Sequence, residues 1–193
     1  MTPSVRVRVT LVAWCVLLAA TVPPAWSAGP DTGLAARLSS ADAAMEYWDV
    51  TAWLDSGERV VARFLVTNQG PGDRTAAAVG HVVEADGRAL PFQWGRRRDA
   101  WTLGADGRRL EIGKAVLDLS GPMLVLTVVS KKRGIDLRIE LVRSTVSGTP
   151  DFEVMLPMPA RGRIGSTDVT GTGALTHTWM DRAEADVLTR RDE

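Results

Sequence analysis

Glycine-containing turns divide the chain between Glu46 and Trp179 into short runs with the period of a β-strand. Asp86-Gly87 and Asp106-Gly107 each stand between two such runs, and Asp-Gly in that setting is a strong signal for a β-hairpin. No helix-period apolar stripe of any length occurs over the same residues. Successive hairpins indicate an antiparallel meander, and a meander of about eight or more strands best avoids exposed edges by curling into a barrel. We therefore predict an all-β fold.

The first predicted hairpin pairs residues 46–54 with residues 59–67. If Ser56-Gly57 is a two-residue loop, the register follows, because each facing pair then has the same sum of residue numbers. That register places Trp48 opposite Leu65, Asp49 opposite Phe64, and Val50 opposite Arg63. Both faces carry large apolar groups, so we expect a core or cavity on the inner side of this hairpin and a covering segment on its outer side.

Three further hairpins follow the same logic. Two-residue loops at the Asp-Gly pairs place Val83 opposite Leu90, His81 opposite Phe92, Leu103 opposite Leu110, and Trp101 opposite Ile112. The clearest hairpin joins residues 123–130 to residues 135–142, with Leu124 opposite Leu141, Leu126 opposite Ile139, and Val128 opposite Leu137. Residues 152–158 and 161–170 are predicted as weaker strands, interrupted by Pro157 and Pro159.

The first 27 residues are predicted to be a secretory signal peptide rather than part of the fold. Arg6 and Arg8 precede an apolar run over residues 9–22, which is short for a membrane anchor, and cleavage is expected before Ala28. The expected location is the periplasm or the exterior. The predicted organisation continues with a linker or short helix over 28–45, a β-barrel domain over 46–180, and a charged C-terminal tail over 181–193.

Charge and residue counts exclude several functional classes. Lys+Arg and Asp+Glu both number 23, so no net basic field favours nucleic acid. Cys15 is the only cysteine and leaves with the signal peptide, which excludes a disulfide or a thiol nucleophile. His81 and His177 are the only histidines, and no glycine-rich phosphate loop precedes a helix, so we expect no metal site and no cofactor.

The remaining candidates for function are Trp, Arg and His residues within strands. Arg63 shares a face with Val61 and Leu65, and an Arg on an apolar face either pairs internally or meets the polar end of a ligand. His81 is open to the same two interpretations, and the Trp residues could be core or ligand wall. The ligand-binding candidates are Tyr47, Trp48, Trp53, Arg63, Phe64, His81, Trp94 and Trp101.

A family resemblance rests on a few short elements. These are the opening Glu46-Tyr47-Trp48, the meander, the strand from Arg161 to Ile164 before a glycine-rich turn at 171–173, and His177-Thr178-Trp179. Together they resemble the lipocalin-like superfamily of carotenoid 1,2-hydratases, AttH-type secreted bacterial proteins and survival-factor-like proteins, over the N-terminal domain only. The resemblance implies that the meander closes into a lipocalin-like β-barrel.

In the hydratase branch, the resemblance implies a site between two domains. His177 and Trp179 are the catalytic positions that carry over, whereas Thr176 stands where the family often has Asp, and a downstream Tyr-x-Asp element that supplies the acid is expected to be missing. Two functions stay open: a domain that binds an apolar or lipidic ligand such as an isoprenoid or fatty acyl chain, or a hydratase or isomerase of polyenes, whole or truncated. Expected partners are that ligand and either a second lipocalin-like domain or an export-system protein.

Overall fold

The computed structural model describes residues 33–69, 74–149 and 152–181. The predicted signal peptide lies outside these ranges, as do residues 182–193 of the predicted tail. No helix in the described ranges is long and apolar enough to span a bilayer. The strands are β1 (Met45–Leu54), β2 (Arg59–Thr67), β3 (Thr75–Val83), β4 (Ala89–Arg96), β5 (Thr102–Leu103), β6 (Arg109–Ile112), β7 (Ala115–Asp118), β8 (Met123–Ser130), β9 (Ile135–Val142), β10 (Ser147–Thr149), β11 (Phe152–Ile164) and β12 (Thr167–Met180).

One antiparallel sheet contains all of these strands, which confirms the predicted all-β class. Its order is β4-β3-β2-β1-β12-β11-β9-β8-β7-β6-β5, with β10 paired to β11 on the side. The first and last strands pair along ten residues, from Met45 with Met180 to Leu54 with Gly171. This β1–β12 pair lies in the interior of the sheet, and the sheet curls into a partly closed, lipocalin-like barrel.

The opening of the barrel lies between β4 and β5. Across the described residues no ladder joins these strands, but β6 packs against β3 and β4. The side chain of Trp94 on β4 covers Gly113 in the β6–β7 turn so closely that a Cβ there would lie 2.5 Å from the indole. Gly113 has a φ of +68°, which also favours glycine. Side-chain packing thus closes the seam where backbone pairing stops.

The inner face of the sheet forms one continuous apolar core. Burial alternates along β1, β2, β8 and β9, as expected for strands with one face inside. The predicted register of the β8–β9 hairpin is confirmed, with Leu124, Leu126 and Val128 opposite Leu141, Ile139 and Leu137. All six side chains are buried.

The predicted register of the first hairpin is wrong by one residue. Trp48 lies opposite Phe64, and Asp49 lies opposite Arg63. The loop contains three residues, 55–57, because the Leu54 N–H donates to the Glu58 carbonyl and Gly57 takes a φ of +99°. A turn followed by a left-handed glycine is the usual three-residue hairpin, and it adds one residue to the loop.

The Asp86-Gly87 hairpin departs from prediction in the same way. Gly87 is left-handed, the Glu84 N–H donates to the Arg88 carbonyl, and Val82 rather than Val83 lies opposite Leu90. As a result Phe92 lies opposite Gly80, and His81 lies opposite Pro91.

At Asp106-Gly107 the predicted pairing of Leu103 with Leu110 is confirmed. Trp101, predicted to lie opposite Ile112, precedes the strand, because β5 begins at Thr102.

The last two strands are longer than predicted. β11 runs through both prolines, because Pro157 lies in a bulge between Met155 and Met158, where a strand tolerates a residue without an N–H. The sequence Gly171-Thr172-Gly173, expected to be a turn, lies within β12, and Gly173 faces the Leu141 side chain at a distance that leaves no room for a Cβ. The break falls instead at Gly165, whose φ is +59°.

Candidate functional site

His177 lies inside one end of the barrel, which we call the mouth, between two carboxylates. Its Nε2 is 2.7 Å from a Glu46 oxygen, and its Nδ1 is 3.0 Å from a Glu153 oxygen. The three residues come from β12, β1 and β11, and the His177 side chain is fully buried. A neutral imidazole donates from only one nitrogen, so both contacts are hydrogen bonds only when the cluster holds one further proton, on the ring or on a carboxyl group. The imidazole therefore connects carboxyl groups from two other strands of the sheet.

Two tryptophans frame the imidazole. The Trp48 ring stacks on it, with centroids 4.6 Å apart and planes inclined by 9°. The Trp179 ring lies 4.9 Å away at an angle of 47°. The structure thus brings together the sequence-predicted pair His177 and Trp179, and it adds Trp48 to them.

Residues 33–41, here called the N-terminal strap, cover this cluster. The backbone N–H groups of Arg37 and Leu38 donate to Glu46, and that of Leu34 donates to Glu153. The Leu34 carbonyl accepts a hydrogen bond from Trp48 Nε1 at 2.9 Å. The Leu34 side chain is buried in the core, so the strap closes the mouth against water.

A second candidate site lies on the outer face of β1–β4. It is an open groove of about 1250 Å³ whose floor includes Val61, Val79 and Pro91. Arg63, His81 and Trp94 border it, so three of the sequence-predicted ligand residues meet there. Arg63 is held by Asp49 through two hydrogen bonds of 2.6 and 2.7 Å, and its guanidinium lies 4.3 Å from the centre of the Tyr47 ring.

The rim of this groove carries positive charge from the β8–β9 hairpin. Ser130, Lys132 and Arg133 line its edge, and Lys114 and Lys131 line an adjoining depression that also borders on Trp94. Across the part of the chain that the structure describes, none of these four cations forms an ion pair. Exposed cations beside an apolar floor can attract an anionic group.

The other predicted ligand residues lie elsewhere. Trp48 and Phe64 face each other across β1 and β2 in the core, and both are fully buried. Trp53 is half exposed on the outer face, two residues beyond Thr51, and does not itself line the groove. Trp101 donates from Nε1 to the Arg74 carbonyl at 2.8 Å, which ties down the connection after β4.

Sequence reasoning missed Glu46 and Glu153 as site residues. Glu46 alternates in phase with Trp48, Val50 and Ala52, and an acidic residue on the apolar face of a strand requires a polar partner. This alternation with buried apolar residues is the sequence signal that could have identified Glu46 as a site residue. Glu153 shares its phase with Met155, but the bulge after Met155 obscured the pattern.

Comparison with known proteins supports the fold. A crystal structure of a candidate AttH protein from Nitrosomonas europaea is similar, with a TM-score of 0.66 and 16% sequence identity. The match covers 84% of this chain and 58% of that one, so the chain spans little more than half of the neighbour's length. No family model matches the sequence, and no curated protein matches it. The likeness establishes an AttH-like, lipocalin-type barrel fold.

Proposed function

We propose that this chain is an exported lipocalin-like domain that binds an amphipathic ligand, with an apolar isoprenoid or fatty acyl body and an anionic head. The observation that carries the proposal is the outer groove, where Arg63, His81 and Trp94 meet over an apolar floor. The body would lie along Val61, Val79 and Pro91, and the head would meet Lys132 and Arg133 at the rim.

The barrel interior is less suited to this role. Large apolar side chains of opposite walls, such as Trp48, Phe64, Leu126 and Ile139, are fully buried in one core cluster. Seating a ligand among them would require that packing to open, and close-packed cores resist such a change. The outer groove needs no such opening, so the ligand site is assigned to the outside of the barrel.

The groove also sets the expected strength of binding. Each buried methylene contributes about 0.8 kcal/mol. An open groove buries only part of an acyl chain and leaves the rest in water. A dissociation constant of micromolar order, roughly 8 kcal/mol of binding free energy, is therefore expected.

The most direct search for the ligand is mass spectrometry of the apolar extract from protein purified out of its own periplasm. An anionic isoprenoid or acyl compound at near one equivalent supports the proposal, and an empty extract from folded protein counts against it. N-terminal sequencing of the same material tests export, since a start near Ala28 is expected. Full-length protein kept in the cytoplasm would oppose it.

One observation favours a second function, acid–base chemistry on a polyene. Glu46 and Glu153 place two carboxyl groups on the two ring nitrogens of His177, and protonation of an alkene needs a positioned acid in a dry pocket. The N-terminal strap, however, covers this cluster and leaves the His177 side chain no surface that a substrate could reach. We therefore expect no measurable hydratase turnover of acyclic carotenoids by the isolated chain. Turnover that is abolished by His177→Ala would move the chain into the enzyme class.

A further inference from the structure

The side chains of the barrel mouth bind the N-terminal strap mainly through the strap's backbone. The carboxylates of Glu46 and Glu153 accept four contacts, at 2.7 to 3.0 Å, from three backbone N–H groups, those of Leu34, Arg37 and Leu38. The indole of Trp48 donates to a backbone carbonyl. Main-chain donors and an acceptor are thus satisfied by side chains of the barrel rather than by a strand ladder.

Two strap side chains supply specificity. Leu34 fills a core position with about 1% of its surface exposed. The Arg37 guanidinium lies 3.5 Å from the centre of the Trp179 ring and reaches a Glu153 oxygen at 3.3 Å. A leucine in an apolar hole contributes buried apolar area, and an arginine stacked on an indole contributes a cation–π contact. Their spacing is Leu-x-x-Arg.

The side chains that contact the strap are also held by one another. His177 contacts both carboxylates, and Trp48 stacks on His177. The mouth residues lie on β1, β11 and β12, where β12 pairs with both of the others; they are Glu46, Trp48, Glu153, His177 and Trp179. A site built on paired strands is organised before its ligand arrives, and this reduces the ordering cost of binding.

The strap side of the contact is strained. Leu34 has a φ of +74°, and Leu38 has a φ of +43°. Bulky residues rarely adopt left-handed backbone conformations. The strap makes its contacts against this local cost, which weakens its hold on the mouth.

We propose that the mouth of the barrel is a peptide-binding site, which residues 34–38 occupy in cis and which a Leu-x-x-Arg-Leu segment of another polypeptide can occupy in trans. Tethering gives the strap an effective concentration of about millimolar order, so a free peptide competes poorly while the strap is intact. Weakening the strap then opens the site to the second peptide.

The test uses the full chain with a labelled peptide that copies residues 33–41. Two variants weaken the strap: Leu34→Asp removes the buried anchor, and Arg37→Asp removes the exposed one and places a carboxylate beside Glu153. Trp53→Ala is the matched control, because Trp53 is exposed and lies outside the mouth. A scrambled peptide controls for non-specific adsorption, and fluorescence anisotropy reports binding.

A second readout follows the strap itself. The chain has two histidines, so modification by diethyl pyrocarbonate, mapped by mass spectrometry, compares buried His177 with partly exposed His81. In the weakened variants the His177-to-His81 ratio should rise by about tenfold, as local opening predicts. The added peptide should restore protection and bind at least about tenfold more tightly than it binds the wild type.

Two results overturn the proposal. One is a folded variant in which His177 becomes reactive but the peptide neither binds saturably nor protects it. The other is His177 that stays protected in both folded variants. In either case the strap is a structural cap only. If Leu34→Asp fails to fold, Arg37→Asp carries the test, because its side chain is exposed.

Discussion

His177 and Trp48 are cross-strand partners whose rings lie 4.6 Å apart and nearly parallel. The same Trp48 indole donates to the carbonyl of Leu34 in the N-terminal strap. One aromatic pair therefore connects the carboxylate cluster, the sheet and the segment that closes the mouth. Removing either ring should therefore weaken all three of these parts.

Replacing His177 by Ala should lower the free energy of unfolding by about 3–5 kcal/mol, because it leaves the buried Glu46 carboxyl group and the partly buried Glu153 carboxyl group without their shared partner and opens a cavity against Trp48. Thr178→Ala is the control, because Thr178 lies on the opposite face of β12 and is only partly buried. Urea unfolding measures both. Equal losses in the two variants would show that the cluster contributes nothing specific.

Leu126→Ala should cost about 2–5 kcal/mol, because Leu126 is buried opposite Ile139 in the confirmed β8–β9 register. Thr127→Ala, on the outer face of the same strand, should cost well under about 1 kcal/mol. The measurement is again urea unfolding. The reverse order of losses would mean that the inner and outer faces are exchanged.

The seam between β4 and the β6–β7 turn predicts a difference between two glycines. Gly113 and Gly134 have φ values of +68° and +70°, so alanine costs each about 1–2 kcal/mol of backbone strain. Only at Gly113 does the new methyl group meet Trp94, whereas at Gly134 no atom lies within 4 Å. Gly113→Ala should therefore lose a further 1–3 kcal/mol, roughly, from overpacking. Thermal unfolding of both variants compares them, and equal losses would place Trp94 away from the seam.

A surface cluster on β9 and β11 predicts a pH effect. Hydrogen bonds from Arg138, which has the larger effect, and from Arg161 hold the pKa of Glu140 below its ordinary value of 4.5. A lowered folded-state pKa stabilises the protein above the unfolded pKa, and this stabilisation is lost as the pH falls through the folded value. Glu140→Gln should therefore cost under about 1 kcal/mol at neutral pH, as exposed pairs do, and nothing in strong acid. A difference that is the same at pH 7 and in acid would exclude this pair as its source.

Fold class and hairpin order could be predicted from the sequence because turn chemistry and period-two patterns are local. The register of each hairpin was harder to predict than the order of the hairpins. A glycine after two polar residues fits either a two-residue or a three-residue loop, and the choice at Gly57 shifted every pair of the first hairpin by one. That shift decides whether Arg63 meets Val50 or Asp49. At Gly134 the loop length was unambiguous, and the register was predicted correctly.

The candidate sites depend on contacts between distant parts of the chain. Glu46 and His177 are 131 residues apart and meet because β1 pairs with β12, a pairing that local patterns do not encode. The strap gave no sequence signal either, since residues 33–41 have a linker-like composition and bind through their backbone. By contrast, Arg63, His81 and Trp94 were found by residue type alone, and the sheet gathers them on one groove.

Fluorescence titration with a long-chain fatty acid tests the ligand-binding proposal most directly, with Trp94→Ala and Trp53→Ala as matched variants. Trp94 borders the outer groove, and Trp53 is an exposed tryptophan outside it. The account predicts a saturable change in the wild type and in Trp53→Ala, with affinity of micromolar order, and its loss in folded Trp94→Ala. Saturable binding that Trp94→Ala leaves unchanged, or no saturable change in the wild type with several anionic apolar ligands, would contradict it.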